Sequence, residues 1–238
     1  MATKTHNKMR NKLLTWEFYE HATVEDVRQA IKDGCDVNGT DNDNRTPLMN
    51  AVEYPKLDVI KCLLDAGADV NARSKYGCTV LTMVNTMRAT ADCYKLLLDA
   101  GADVHAKRNI GTTALLEHAS HGPVEALKVL IDAGADVNIK DENNWTPLHA
   151  AASFHEDVNA VKLLIESGAD LEAKDNKGRT PLMHAARWGS HPSNIRCLIK
   201  AGANMEFEDD TIEDLIKENY TIMDKIFAKF LNKEYKQR

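Results

Sequence analysis

Residues 134–149 read GADVNIKDENNWTPLH, and this stretch decides the fold because most of it recurs along the chain. Its opening glycine recurs at intervals of 33 or 34 residues, at Gly34, Gly67, Gly101, Gly134, Gly168 and Gly202. A threonine stands twelve residues after five of these glycines, at Thr46, Thr79, Thr113, Thr146 and Thr180. A fixed period in this range predicts a solenoid of stacked repeats, an architecture that presents long binding surfaces.

One repeat is expected to fold as two short helices. Thr146 is a favourable helix N-cap, and Pro147 fits the first helical position, where its missing N–H is not needed. After a break at 154–157 comes a second helix, whose inward face is expected to consist of Val161, Leu163, Leu164 and Ile165. Gly168 is suited to end this helix in a left-handed conformation. Because one helix pair cannot bury its apolar face alone, each repeat needs neighbours.

The period, the Thr-Pro-Leu-His sequence at 146–149 and the Gly-Ala-Asp-Val-Asn sequence together resemble the ankyrin repeat. The resemblance implies an all-α ankyrin-repeat solenoid of about seven stacked helix pairs with β-hairpin-like fingers. It implies a single domain over residues 12–231, made of an N-cap at 12–35, five central repeats within 36–201 and a C-cap at 202–231. A basic N-terminal tail, 1–11, and a polar C-terminal tail, 232–238, flank this domain.

The unit that begins at Thr79 departs from the repeated pattern. Val84 and Asn85 stand where the family usually has two alanines, and His118 takes a similar position in the next unit. Wider side chains at these positions disturb close helix packing. We therefore expect the middle of the chain to be its least regular part.

Composition favours a folded chain that neither spans a membrane nor binds nucleic acid. The hydrophobic fraction of 43% and the charged fraction of 28% are typical of globular proteins, and no apolar run approaches the roughly 18 residues that a membrane span needs. The net charge is −6, without the strongly basic stripe of nucleic-acid-binding proteins. The N-terminus lacks the apolar stretch of a secretory signal. A cytoplasmic location is predicted, with the nucleus or a host-cell cytosol as alternatives.

Residue types that carry chemistry are present, but their spacing predicts neither catalysis nor metal binding. The five cysteines have no paired spacing and are expected to be small buried residues in a reducing compartment. The nine histidines fall in successive repeats without any Cys-x-x-Cys pair, so no zinc site is predicted. Phosphate-loop and nucleophile-elbow motifs are absent from the sequence. We predict a protein that is not an enzyme and uses no cofactor.

A partner-binding surface is implied by the family resemblance. In ankyrin proteins the finger tips and the first helices line a concave groove, where residues are free to vary. The finger tips here carry a summed charge of +4, and aromatic residues fall on the same surface. Trp, Tyr and Arg dominate the energetics of protein interfaces. The candidate partner-binding residues are Arg45, Tyr54, Arg73, Lys75, Tyr76, Lys107, Trp145, Phe154, Lys177, Arg179 and Trp188.

The predicted function is that of a non-catalytic scaffold for protein–protein interaction. The partner is expected to be an acidic or amphipathic protein or peptide, steered by charge into the groove of a monomer. One alternative is a pathogen or viral effector, or immune-evasion factor, that uses the same groove against a host protein. Two further alternatives are a self-assembling adaptor, whose basic N-terminus meets the acidic C-cap, and an enzyme or enzyme subunit.

Overall fold

The computed structural model describes residues 11–84, 86–88, 90–188 and 191–205, which form helices and turns. The chain separates into two compact units, residues 1–109 and 110–238. The single domain over 12–231 stays a prediction. Its C-cap and the polar tail lie almost entirely outside the described residues, as does nearly all of the basic tail.

The first unit holds two layers of helices. After a 3₁₀ turn at Lys12–Leu14 come the α-helices of its described part: α1 (Trp16–His21), α2 (Val24–Lys32), α3 (Pro47–Ala51), α4 (Leu57–Asp65), α5 (Val80–Met83) and α6 (Ala91–Asp99). The helices α1, α3 and α5 pack side by side as an inner layer. The helices α2, α4 and α6 pack side by side as an outer layer, with α3 against α4 and α5 against α6.

The second unit repeats this two-layer arrangement. Its described helices are α7 (Ala114–Ala119), α8 (Val124–Asp132), α9 (Pro147–Phe154), α10 (Val158–Glu166), α11 (Pro181–Trp188) and α12 (Pro192–Ala201). The inner helix α9 lies between α7 and α11, and the outer helix α10 lies between α8 and α12. Each inner helix also packs against the outer helix that follows it. The predicted all-α stack of helix pairs is therefore confirmed within each unit.

The repeated threonines begin the inner helices, as the sequence predicts. A backbone N–H three residues later donates to the threonine hydroxyl at 3.3–3.4 Å, at Thr46, Thr113, Thr146 and Thr180. This bond satisfies one of the N–H groups that a helix start leaves without a partner. Thr79 differs, because its hydroxyl has no hydrogen-bond partner among the described residues. Its backbone N–H donates instead to the Thr82 hydroxyl at 2.9 Å.

The inward face of α10 is narrower than the sequence pattern predicts. Val161 and Leu164 are fully buried, as expected. Leu163 and Ile165 are only half-buried, so their assignment to the inward face is wrong. The reason is the helical period, which turns one stripe of a short outer-layer helix toward the core and leaves its flanking positions at the edge of that stripe.

The unit at Thr79 is the least regular part of the described chain, as predicted. Its inner helix α5 has four residues, and Val84 after it has an extended ψ of 125°. In the next repeat His118 fits into the helix layer with no exposed surface. Its Nδ1 lies 3.0 Å from the carbonyl of Ala114. A hydrogen bond within its own helix thus gives a partner to one polar atom of this buried ring.

Candidate functional site

Four of the five finger loops are each held by one acceptor side chain near their start. In the loop 140–145, the Asp141 carboxylate accepts the backbone N–H groups of Asn143 and Trp145, both at 2.8 Å. Asn144 closes the turn with a left-handed φ of 59°. The same role belongs to Asp41, Ser74 and Asp175. The last residue of each of these loops is therefore fixed through its backbone.

Neighbouring finger loops are joined by hydrogen bonds. In the second unit, the backbone N–H of Asn176 donates to the carbonyl of Asn143 at 3.0 Å, and its side-chain amide donates to the backbone carbonyl of Glu142 at 2.9 Å. In the first unit, the backbone N–H of Lys75 donates to the carbonyl of Asp43 at 2.8 Å. No β-strand occurs in the described part of the chain. The fingers are thus tight turns with lateral contacts, which place their side chains in fixed positions.

Five rings form a continuous chain of contacts in the second unit, and we call them the aromatic cluster: His121, Phe154, Trp145, His184 and Trp188. His121 stacks on Phe154 with ring centroids 6.0 Å apart, and Phe154 stacks on Trp145 at 6.0 Å. Trp145 meets His184 edge to face at 4.6 Å. Phe154 is 37% exposed and Trp188 is 55% exposed. The cluster therefore offers apolar surface to a partner while its inner rings are held by packing.

A buried polar network supports one end of this cluster. The indole N–H of Trp188 donates to Nδ1 of His184 at 3.1 Å, and Nε2 of His184 lies 2.8 Å from Oδ2 of Asp175. The same carboxylate oxygen accepts hydrogen bonds from Nε and from a terminal nitrogen of Arg179, at 3.1 and 2.9 Å. His184 has no exposed side-chain surface, and Asp175 has 2%. The Asp175 carboxylate thus links a finger loop to helix α11.

Burial and hydrogen bonds set the charges in this network. Burial alone would raise the pKa of Asp175, but N–H groups of Arg179, His184 and Lys177 hold it well below its usual range. Burial lowers the pKa of His184, against the opposing effect of its bond to Asp175. Burial also lowers the pKa of His149 to about 4, although the carbonyl of Arg179 acts in the opposite direction. At neutral pH the network therefore contains a carboxylate and two neutral imidazoles.

The cationic candidates of the second unit lie on the loop beside this network. Arg179 is committed to Asp175, and its guanidinium side chain remains 20% exposed. Lys177 is exposed at the tip of the same loop. The structure thus brings Trp145, Phe154, Trp188 and Arg179 into one set of contacts, with Lys177 at its edge.

In the first unit, Tyr54 and Arg45 are engaged by neighbouring side chains. Tyr54 stacks with Trp16 at a centroid distance of 6.4 Å, and the guanidinium of Arg88 lies 5.0 Å from its ring centroid. Arg45 forms an ion pair with Glu53. Trp16 is 47% exposed, which makes it a surface aromatic residue that the sequence prediction missed.

The remaining candidates form a second group in the first unit. Arg73 donates to the carbonyl of Lys107 in the next loop. The ammonium group of Lys75 lies 5.9 Å from the ring centroid of Tyr76, which is 55% exposed. These four residues belong to two neighbouring loops and present two lysines, an arginine and an aromatic ring.

Three residues of the aromatic cluster and its supporting network were missed by the sequence prediction: His184, Asp175 and His121. His184 and Asp175 carried no signal, since the histidine replaces the residue types found four positions after the other repeat threonines. His121 did carry one. The position eight residues after each threonine forms a periodic column, occupied by Tyr54, Met87, His121, Phe154 and Trp188. Three of these five residues are among the candidates, and the period alone could have added His121.

The cysteines are less uniformly buried than predicted. Cys78 and Cys93 are buried, whereas Cys35, Cys62 and Cys197 are half-buried, so the prediction is wrong for these three. Burial raises the pKa of the Cys93 thiol to about 12. This cysteine therefore behaves as a small apolar residue, as expected of a thiol kept protonated by its surroundings.

Other kinds of site find little support in the described residues. No group of three or more His, Cys, Asp or Glu side chains among them is arranged to hold a metal ion. Within the same residues, no helix is both long and apolar enough to cross a membrane. An open groove of about 610 Å³ lies between α10 and α12, lined by residues such as Ile165 and Cys197. It belongs to the outer layer and contains none of the candidate residues.

Comparison with known proteins agrees with this architecture. A sequence model of ankyrin repeats matches in three overlapping copies, over residues 18–108, 83–175 and 115–209. A stretch of 72 residues is 36% identical to the serine/threonine-protein kinase VIK of Arabidopsis thaliana, covering 30% of this chain and 16% of the kinase. A stretch of 64 residues is 41% identical to the putative ankyrin repeat protein FPV222 of fowlpox virus, covering 27% of this chain and 9% of that protein.

The two relatives therefore match the chain over short segments, and the chain spans a small part of each. The family match, by contrast, extends from residue 18 to residue 209 and takes in well over half of the chain. Ankyrin repeats generally mediate contacts between proteins and are typically non-catalytic. With its threonine-capped inner helices, glycine-terminated outer helices and stacked helix pairs, this chain belongs to the ankyrin repeat family.

Proposed function

We propose that the chain is a non-catalytic protein-binding module whose main contact surface is the aromatic cluster of the second unit. The observation that carries this proposal is the exposure of Phe154 and Trp188 beside rings that are themselves packed. Large aromatic side chains anchored in this way lose little conformational freedom on binding. An exposed apolar patch of several rings on a protein surface favours a docking role.

The charges around the cluster favour an acidic or amphipathic partner segment. The adjoining finger loop carries Lys174, Lys177 and Arg179, against the single carboxylate of Asp175. Arg179 stays bound to that carboxylate, so the lysines supply most of the field that a partner meets. Such charges chiefly speed the encounter, whereas the aromatic rings hold the complex.

The Asp175–His184 pair supports binding better than catalysis. A catalytic histidine must pass a proton to a substrate or a nucleophile. Here Nδ1 of His184 is occupied by the indole of Trp188, Nε2 by Asp175, and the ring has no exposed surface. An indole N–H is not a nucleophile. The pair therefore supports a structural role beneath the aromatic surface.

The candidates of the first unit form a second proposed contact region. Tyr76, Lys75, Arg73 and Lys107 combine an exposed ring with positive charge, which suits the same class of partner. Tyr54 joins this proposal through its stack with Trp16. Arg45 is proposed as a weaker contact, because its ion pair with Glu53 must be disturbed for it to reach a partner.

The proposal covers a cytosolic monomer as well as a pathogen or viral effector that acts on a host protein. The match to a fowlpox virus protein supports the effector hypothesis, but a match of similar length to a plant kinase is equally strong support for a protein of another kind. The binding chemistry is the same in either case. The self-assembling adaptor depends on residues at both ends of the chain that lie outside the described ones.

Affinity capture from the native cell tests the proposed function. The full chain is compared with the double variant Phe154→Ala/Trp188→Ala, and captured proteins are quantified by mass spectrometry. Both side chains are exposed, so the variant is expected to fold while its partner is depleted about 10-fold or more. Trp145→Ala is a poorer choice, because that ring packs against His184.

Leu57→Ala is the matched control, since Leu57 is 37% exposed, as is Phe154, but belongs to α4 in the first unit. It is expected to capture the same proteins as the unchanged chain. Undiminished capture by the double variant, at an unchanged melting temperature, would remove the aromatic cluster from the binding surface.

A further inference from the structure

The contacts of Trp188 fix the protonation state of the histidine beneath it. An indole nitrogen can only donate a hydrogen bond, so Nδ1 of His184 must accept it across 3.1 Å. An ionised carboxylate can only accept, so Nε2 must donate to Asp175 across 2.8 Å. Only the neutral imidazole with its proton on Nε2 satisfies both partners. A doubly protonated ring would direct a second N–H at the indole N–H.

From this geometry we propose that Asp175 and His184 are positioning residues that hold the indole of Trp188 in one orientation, and that protonation of His184 releases it. The positioning of Trp188 stands on its own, whereas its purpose, which is to present the ring to a partner, rests on the proposed function. The tryptophan itself is 55% exposed, so its hydrogen bond to His184 orients a ring that lies largely on the surface.

Several charged and titratable groups act on the His184 ring. Asp175 and Arg179 come from the finger loop, Arg187 from α11 itself, and His149 from the neighbouring helix α9, with ring centroids 5.4 Å apart. Asp175 favours the charged ring, whereas burial, the arginines and a protonated His149 disfavour it. Burial has the largest effect, and it keeps the ring neutral near neutral pH. Release of Trp188 is therefore expected only on acidification.

His149 has the same tautomer for an independent reason. Its Nδ1 accepts the backbone N–H of Thr146 at 3.2 Å, and its Nε2 lies 3.0 Å from the carbonyl of Arg179. This second imidazole fixes the backbone at Arg179, in the same loop as Asp175. It thereby helps to hold the Asp175 carboxylate in place beside His184. The acceptor for Trp188 is thus built from two helices and a loop rather than from one flexible side chain.

The test follows the indole N–H resonances of the ¹⁵N-labelled full chain by NMR. The chain has three tryptophans, and Trp188→Phe assigns the resonance of interest. Near pH 7.5 this proton is expected to exchange slowly with solvent, and the His184 ring to report the Nε2–H tautomer. On acidification, slow exchange is expected to be lost in one step that coincides with the titration of His184.

Two substitutions separate the two contacts of the imidazole. In His184→Asn the amide oxygen replaces Nδ1 as acceptor, so the indole proton should remain protected and the acid step should disappear. In His184→Gln the amide reaches toward Asp175 instead, so protection should be lost at every pH. Circular dichroism melting verifies that each variant is folded.

The measurements on the unchanged chain decide the matter even where a variant does not fold. An Nδ1–H tautomer, a rapidly exchanging indole proton near neutral pH, or an acid step unconnected to His184 would each overturn the proposal. None of these readouts requires a partner. A negative capture experiment would therefore not contradict the positioning role of Asp175 and His184. A negative NMR result would likewise not contradict the proposed binding surface, which the capture experiment tests.

Discussion

Asn144 and Gly178 occupy the same left-handed backbone conformation, with φ of 59° and 75°, at the same position of neighbouring finger loops. The position lies two residues before a repeat threonine, and Asn44, Gly77 and Gly111 fill it in the other loops with positive φ. Glycine and asparagine are the residues that adopt this conformation most readily. The loops therefore depend on backbone shape at one position and leave their neighbours free to vary.

Replacing these glycines by alanine should destabilise the protein to different degrees. A Cβ at Gly178 meets no atom within 4 Å, so Gly178→Ala is expected to cost only the backbone strain, about 1–2 kcal/mol. A Cβ at Gly77 lies 2.9 Å from the backbone nitrogen of Asn109 and closer still to its side chain. Gly77→Ala should therefore cost more than Gly178→Ala, as measured by urea unfolding. Equal losses would contradict the close approach of the two loops.

A matched pair of leucines in α10 tests the width of its buried stripe. Leu164 is fully buried, and Leu164→Ala is expected to lower the free energy of unfolding by about 2–5 kcal/mol. Leu163 is half-buried, and Leu163→Ala should cost less than half as much, since fewer contacts are lost. Chemical denaturation of both variants checks this order. A larger loss at Leu163 would contradict the orientation of the helix.

Acidification should destabilise the protein through its buried histidines. Burial lowers the pKa of His118 and of His149 from 6.5 to about 4. The unfolded chain therefore binds more protons below pH 6.5 than the folded chain does. The stability that each neutral ring contributes is fully present above pH 6.5 and is lost as the pH falls toward 4, on the order of 3 kcal/mol per ring. The free energy of unfolding should be nearly independent of these groups between about pH 7 and 8.

The histidine contribution is isolated by substitution. His118→Leu removes one titrating group from the core, so the slope of the unfolding free energy against pH should fall by about one proton near pH 5. Leu115→Val is the control, because it alters a buried residue of the same helix without removing a titratable group and should leave the slope unchanged. An unchanged slope in His118→Leu would mean that another group takes up the proton.

A ladder of asparagines joins the end of one outer helix to the next repeat. The amide of Asn138 donates to the carbonyl of Gly168 at 3.0 Å and accepts the N–H of Asp170 at 2.8 Å. Asn138→Ala removes both bonds at an exposed site and should cost about 1–2 kcal/mol in thermal or chemical unfolding. Asn138→Asp keeps the oxygen that accepts the N–H of Asp170 but loses the donor to Gly168. Its loss of stability should therefore come from the bond to Gly168 alone. An unchanged free energy of unfolding in Asn138→Ala would show that water replaces both bonds.

Much of the fold could be predicted because a few residues determine it locally. Thr146 and Gly168 mark the start and end of a helix pair through hydrogen bonding and backbone conformation, which do not depend on distant parts of the chain. The exposure of Trp188 and Phe154 followed from their place in the repeat. The left-handed asparagines also had a signal, since only Asn and Gly occur at this point of a regular period.

The remaining features depend on contacts between repeats that a single sequence does not reveal. Leu163 and Leu164 are identical residues side by side, and only the packing of α10 against its neighbours separates them. The pairing of Asp175 with His184 joins a loop to a helix nine residues later. Asp175 already holds its turn through one carboxylate oxygen, and nothing in the sequence indicates that the other oxygen takes a buried histidine.

The finger loops have a consequence for how such a protein diversifies. Arg45, Cys78, Trp145 and Arg179 end loops of one common construction, and the backbone N–H of each donates to the acceptor side chain near the start of its loop. The side chain at this position can therefore change while the backbone bond that closes the turn is kept. A lineage carrying these repeats could acquire new recognition one substitution at a time, and a designer could do the same by exchanging single positions between otherwise unaltered modules.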